Sequence, residues 1–406
     1  MNDTFKLVEL CNKYLKTFCV DISERCVGSE GNRKATSFFN EALASFGWKT
    51  EMPEFEAIDW DDGGAILKSN GENFNVNVSP YSLGCKVKAE LICATTFSEL
   101  QKLVITDKIL FLHGDITKEQ FMPKNFVFYN PEEHQKIISL LEKGKPKAII
   151  CATSRNAALA GGVYPFPLIE DGDFDIPSVY MTDEEGKKLA LYIGKIVTLE
   201  SKSKRIIGKG YNVIGRKGIE GSDRIVITAH IDAKKGTPGA IDNATGVTIL
   251  LLLAMLLKEY SGTKEIEIVA FNGEDYFAVP GQMNYVRSNE NKFSNIILNI
   301  NIDGAGYRVG KSSFSLFGLT DDLYQKTIDV INENPNIDEG VQWPQGDHSI
   351  FVQYGRPAIA VSSKWFIDNI SDQEITHTPK DNLDIVDNNR LVELALAIKS
   401  LIMRIQ

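Results

Sequence analysis

Seven residues of the kinds that bind metals and move protons fall at the ends of apolar runs in the second half of the chain. The run Ile225-Val-Ile-Thr-Ala-His230-Ile-Asp232 ends in a histidine and an aspartate, and Asp242 follows in the loop Gly239-Ala-Ile-Asp242-Asn243. A second run ends in Gly273-Glu274-Asp275, a third in Asp303-Gly304, and a later loop holds His377. Several carboxylates in one crevice repel each other, and burial raises their pKa values further. One or two divalent cations remove that conflict. Two imidazoles among carboxylate oxygens suit zinc better than calcium or magnesium. Five ligands with one shared carboxylate give each of two ions three protein ligands and leave a position open for hydrolysis.

These residues need a scaffold that brings strand ends together. From about residue 204 the chain alternates strands (224–230, 265–272, 295–302, 313–317, 357–361) with helices (243–260, 282–287, 321–334, 388–405). This predicts an α/β fold, a mixed and largely parallel sheet sandwiched by helices. If the first three strands are parallel neighbours, their carboxyl ends lie side by side, where open α/β sheets place their sites. Helical spacing over 4–19 and 32–46 and an extended segment over 49–55 precede this region.

The stretch 61–203 has a different texture. Turn signals separate short strands, among them 87–93, 108–113 and 148–151, with helices over 134–143 and 184–193. It reads as an inserted β-rich domain without a catalytic constellation. Its His113 and His134 are isolated and are expected in packing or surface roles. The resulting division is 1–60, 61–203 and 204–406, with the outer two segments forming one domain.

At 406 residues the chain is long enough for two or three domains of ordinary size. Hydrophobic residues make up 43% and charged residues 24%, which fits a globular chain with a sizeable core. A net charge of −10 argues against nucleic acid or an anionic membrane surface as partner. The small basic cluster Lys202/Lys204/Arg205 reads as a solvated linker. Six cysteines without a CxxC pair suggest thiols in a reducing compartment. The start Met1-Asn-Asp-Thr-Phe-Lys lacks a secretory apolar stretch, so the expectation is cytoplasmic, or extracellular if a leader has been removed.

The motifs as a set resemble the co-catalytic di-zinc aminopeptidases, a family related to glutamate carboxypeptidase and the transferrin receptor ectodomain. The family pattern is H-x-D, G-x-x-D-N-x-x-G, an acidic pair, N-x-D and H-T. This sequence has His230-Ile-Asp232, Gly239-Ala-Ile-Asp242-Asn243-Ala-Thr-Gly246, Glu274-Asp275, Asn301-Ile-Asp303 and His377-Thr378. The resemblance implies two zinc ions per chain. Asp242 would bridge them, Asp275 and His377 would complete one site, and His230 and Asp303 the other. It further implies Glu274 as general base toward a metal-bridging hydroxide, and Asp232 as the group that hydrogen-bonds His230 and fixes its tautomer. The inserted segment would be a protease-associated domain. The implied function is a zinc exopeptidase, in the first place an aminopeptidase acting on peptides. Terminal preference and any homo-oligomer are left open.

Two departures stand out. The second acid of the pair is usually glutamate, and Asp275 is one methylene shorter. Some members place an aromatic hydroxyl shortly before an Asp-His dipeptide to stabilise the oxyanion. Here Trp343 stands before Asp347-His348, and His348 is the polar candidate nearby. Two other functions compete. A glutaminyl-peptide cyclotransferase would use most of these ligands and a single zinc; Asp275 keeps it open and the inserted domain speaks against it. A metal-free receptor-like relative would have replaced ligands, whereas here all five and the base are competent.

Overall fold

The computed structural model describes residues 2–22, 24–127, 129–155 and 163–405. The chain divides into two compact units. One comprises Met1–Ala57, Lys209–Ile370 and Ile375–Gln406; the other comprises Ile58–Gly208 and Ser371–Glu374.

The first unit is built on eight strands: β1 (Lys49–Glu51), β2 (Val213–Lys217), β3 (Arg224–His230), β4 (Glu265–Phe271), β5 (Ile296–Ile302), β6 (Ser312–Phe317), β7 (Ile337–Gly340) and β8 (Ala358–Ser363). Their order across the sheet is β1-β2-β4-β3-β5-β8-β6-β7. The central β4, β3, β5 and β8 are mutually parallel. Antiparallel partners flank this block, β2 on β4 and β6 on β8. Every residue of β3 and β4 is buried, as expected of parallel strands covered on both faces.

The two faces alternate residue by residue. Ile225, Ile227 and Ala229 of β3, with Ile266, Ile268 and Ala270 of β4, join one core cluster. That cluster is closed by α1 (Asn2–Lys16), α2 (Glu30–Ser45), α3 (Thr245–Leu256) and α8 (Asn388–Arg404). The other face carries α4 (Pro280–Asn289) and α6 (His348–Gln353), where Tyr285 stands edge-on to Phe271 at 5.1 Å and meets Phe351 at 5.9 Å. Helix α3 is apolar all round, and ten of its twelve residues are buried. Each leucine or isoleucine so buried contributes about 1.5–3 kcal/mol. The helix expected from residue 243 begins two residues later. Asp242 and Asn243 depart from helical φ/ψ, because the Asn243 side chain is engaged elsewhere, as described below. Helices α5 (Asp321–Glu333) and α7 (Lys364–Asp368) complete the unit.

The second unit has its own eight-stranded sheet. In its middle Cys85–Ala94, Ile109–Leu112, Ala148–Thr153 and Ser178–Thr182 run parallel. The helix Glu132–Gly144 packs Ile137, Ile138 and Leu141 into one cluster, and Leu189 of Asp183–Ala190 enters another. His134 is buried and its Nδ1 accepts the Met122 N–H at 3.2 Å; His113 stacks on Phe111 at 4.6 Å. Both are packing histidines. Arg205 is not a solvated linker residue. Its guanidinium donates to the carbonyls of Tyr81 and Phe174 and pairs with Asp175, so a charge read as exposed ties three segments together. None of the six cysteines is in a disulfide. Among the described residues no helix is long and apolar enough to cross a membrane.

Candidate active site

Parallel pairing sets the site. His230 is in register with Phe271, and Thr228 with Asn301. The carboxyl ends of β3, β4 and β5 therefore lie abreast, and the loops bearing Asp232, Glu274–Asp275 and Asp303 leave from one rim.

Two triads of ligand atoms form there and share Asp242. His230, Asp242 and Asp303 make one; Asp242, Asp275 and His377 make the other; within each the ligand atoms lie within 4.8 Å of one another. Asp242 Oδ1 is 3.0 Å from His230 Nε2, and its Oδ2 is 3.1 Å from His377 Nε2. One carboxylate thus turns one oxygen to each imidazole. Asp303 Oδ1 is 3.6 Å from His230 Nε2, and Asp275 Oδ1 is 3.1 Å from His377 Nε2.

Each ligand is held by groups behind it. The Asp232 carboxylate accepts the backbone N–H of Gly273 at 2.8 Å and of Asp275 at 3.0 Å. The expected carboxylate–imidazole bond is replaced by a main-chain one. His230 Nδ1 lies 3.2 Å from the Asp232 carbonyl and 3.7 Å from its carboxylate. An Nδ1–H donated to that carbonyl leaves Nε2 free as the ligand atom. Asp381 does the matching work for Asp242. It is fully buried and accepts the N–H groups of Ile241 at 2.7 Å and Asp242 at 3.0 Å. Asn243 donates to the Ile302 carbonyl at 2.7 Å, one residue before Asp303, and accepts the Gly246 N–H at 3.0 Å.

The glycines of this motif are steric requirements. A Cβ on Gly246 would stand 2.4 Å from Asn243 Oδ1 and 2.7 Å from the Ile302 carbonyl oxygen. At Gly239, φ is +58° and a Cβ would meet the Asp242 carbonyl oxygen at 2.6 Å. Arg25 completes the frame. It is 2% exposed and donates to the carbonyls of Phe18, Ile231, Pro238 and Gly239 at 2.6–3.0 Å. It thereby clamps the end of β3 to the loop that carries Asp242.

Glu274 points into the same space, and among the described residues it has no hydrogen-bond or ion-pair partner. Burial raises its carboxyl well above the usual range; His230 opposes this, while Asp303, Asp275 and Asp347 add to it. Burial depresses the proton affinity of His230 and of His377, but the surrounding carboxylates outweigh it and both imidazoles hold protons well above the usual histidine range. Burial, with repulsion from Asp242, pushes Asp381 up to about 7. His348 lies deeper. Burial lowers its pKa, its Nε2 is 2.9 Å from the Trp343 carbonyl, and the two rings meet edge to face at 4.7 Å. Asp347 accepts from Gln282 at 3.0 Å.

The donor set fits a pair of zinc-like ions on this structure's own terms. Asp275 Oδ2 is buried without a hydrogen-bond partner, and His230 Nε2, although 3.0 Å from Asp242 Oδ1, has no partner in hydrogen-bonding geometry. Two carboxylate charges about 4 Å apart repel by about 4 kcal/mol at an effective dielectric near 20, and the three candidate ligand carboxylates and Glu274 share this crevice. Nitrogen and oxygen donors in threes match the protein ligand set of catalytic zinc.

Sequence reading did not find Arg25 or Asp381. Arg25 stands 205 residues before His230 in the chain and works through backbone carbonyls, which leave no trace in sequence. Asp381 falls four residues after His377 in Thr378-Pro379-Lys380-Asp381, where an aspartate looks like any turn residue.

Known proteins resemble this chain in sequence and in fold. The model of Peptidase family M28 matches residues 212–402. Aminopeptidase YwaD of Bacillus subtilis is 28% identical over 245 residues, covering 55% of this chain and 50% of the relative. Leucine aminopeptidase 2 of Trichophyton rubrum is 23% identical over 365 residues, covering 82% and 67%. The chain spans about half the length of the first curated relatives it matches, 50% and 54%. Among solved structures, an aminopeptidase from Aneurinibacillus sp. strain AM-1 superposes with a TM-score of 0.74 at 21% identity, over 97% of this chain and 93% of the other. A zinc aminopeptidase from Bacillus subtilis superposes with a TM-score of 0.73 at 19% identity, over 97% and 94%. These two likenesses show a shared fold. The residues that match the model of Peptidase family M28, 212–402, include all five candidate ligands and Glu274.

Proposed function

We propose that this chain is a zinc-dependent aminopeptidase that removes the N-terminal residue of peptides. The observation that carries this reading is the division of the Asp242 carboxylate between two complete triads, with an unpaired Glu274 beside them. Two complete triads favour it over a single-zinc cyclotransferase and over a metal-free receptor. The names of the relatives, aminopeptidases in each case, support the same class.

His230 and Asp303 would hold one zinc, Asp275 and His377 the other, and Asp242 both. Bound zinc supplies Lewis-acid polarisation of the scissile carbonyl and a lowered pKa for the attacking water. Glu274 accepts the proton of that water at its carboxylate and returns it to the leaving amine nitrogen. A carboxylate beside both triads that is not itself a ligand is placed to take a proton and then give it back. Asp232 keeps Glu274 and Asp275 apart in role. By holding the N–H groups on either side of Glu274, it points one acid at the metal and leaves the other free. The buried walls of the crevice strengthen each of these interactions by excluding water.

The inserted unit is proposed as a protease-associated domain, with no part in the chemistry. Six cysteines outside any disulfide fit a reducing compartment, and a cytoplasmic location is proposed on that ground. The test is hydrolysis of aminoacyl amides and of their N-acetylated counterparts by zinc-loaded protein. Cleavage of the former alone is expected. Cleavage of blocked peptides from the carboxyl end would replace this reading with a carboxypeptidase.

A further inference from the structure

The two triads share Asp242 but differ in what surrounds them. Lys234 lies in the turn just after His230-Ile-Asp232, with its side chain three-quarters buried, and its Nζ is 4.0 Å from Asp275 Oδ1. That oxygen is the one 3.1 Å from His377 Nε2. The other oxygen, Asp275 Oδ2, is buried without a hydrogen-bond partner. A fixed ammonium therefore faces the ligand atom of one triad. The other triad, around His230 and Asp303, has a further acid near it in Asp347, while Glu274 neighbours both. Neighbouring Lys235 turns elsewhere, to Glu24 at 3.6 Å.

We infer that Lys234 makes the two metal subsites unequal: the Asp242/Asp275/His377 triad is the weaker, and it fills after the His230/Asp242/Asp303 triad. The inference rests on the two-metal reading above. Two features act together. The ammonium repels a divalent ion at close range and competes with it for the Asp275 carboxylate. The short aspartate side chain cannot swing away from Lys234 and keep its place beside His377. The consequence is a protein that carries one zinc firmly and takes up the second according to free zinc.

The test is a titration of the zinc-free chain with zinc, in competition with a chromophoric chelator, reading the two stepwise dissociation constants. The wild-type chain should show two separated steps. Lys234→Gln should tighten the weaker step at least about tenfold and leave the tighter one within about twofold. Lys234→Arg should keep the wild-type gap, and Lys235→Gln should change neither step. His377→Ala should abolish the weaker step and keep the tighter. Two zinc ions bound with constants that Lys234→Gln leaves alone, or shifts equally, would overturn the inference and leave the two-metal reading standing, as would loss of the tighter step in His377→Ala. Uptake of no more than one zinc by the wild type at any concentration would overturn the two-metal reading itself, and this inference with it.

Discussion

The Asp232 carboxylate accepts the backbone N–H of Asp275 at 3.0 Å, and with its other oxygen the N–H of Gly273 at 2.8 Å. The end of one strand thus fixes the conformation of the acidic pair that follows the next. Asp232→Asn keeps the size but turns an amide NH2 toward one of these two N–H donors. Metal affinity or activity should fall by about 10–100-fold, with the folded state retained. Zinc competition and initial rates on the same samples check this. Wild-type values in both would show that the Asp232 carboxylate does not organise the loop.

Arg25 should matter for stability more than for chemistry. Arg25→Met would leave the carbonyls of Phe18, Ile231, Pro238 and Gly239 without their donor. An unsatisfied buried polar group costs about 1–3 kcal/mol, so a loss of at least about 3 kcal/mol is expected in denaturant unfolding of the zinc-free chain. Arg25→Lys should recover only part of this, because an ammonium lacks the planar fork. A loss below about 1 kcal/mol for Arg25→Met would show that water replaces the guanidinium.

Metal binding should release protons. Carboxylates around His230 and His377 keep both imidazoles protonated well above the usual histidine value of 6.5 in the metal-free chain. Their contribution to metal-free stability is therefore complete below 6.5 and is lost as pH rises through the raised values. Zinc needs the neutral ring, so apparent affinity rises with pH and roughly two protons leave per two ions. Calorimetry in buffers of different ionisation enthalpy measures that number. Zinc uptake independent of pH across the neutral range would contradict the ligand assignment.

Chelation should lower the unfolding midpoint of the first unit, because zinc binds the folded arrangement only. At free zinc one hundred times the dissociation constant the stabilisation is about 2.7 kcal/mol per site. Thermal unfolding with and without a chelator, followed by zinc add-back, tests this. A midpoint indifferent to both treatments would separate the metals from the fold.

How much of this could be read from the chain beforehand depends on what kind of signal each feature leaves. The strands ending in His230, Glu274–Asp275 and Asp303 are apolar, β-branched and terminated by polar residues, so both the parallel block and the residues on its rim were legible. Helix α3 was legible as core because it is apolar on every side. Strand β7, Ile337-Asp-Glu-Gly340, was not. It is short, acidic and lies at the sheet edge, where only pairing with β6 defines it. Asp232 was expected to reach His230 with its carboxylate and does so with its carbonyl. A sequence motif names the residue, not the atom that makes the contact. Arg25 and Asp381 act on backbone groups distant in sequence, which no local pattern encodes.

The most direct test joins zinc content to turnover in one pair of proteins. Zinc-loaded wild type and zinc-loaded Glu274→Gln are assayed on an aminoacyl amide, and zinc is counted by elemental analysis in the same samples. The expected result is equal zinc in both, with the variant slowed by at least about a thousandfold, within the range that general-base catalysis contributes. Comparable rates at equal zinc would contradict the assignment of Glu274 as the base on which the proposed reaction depends.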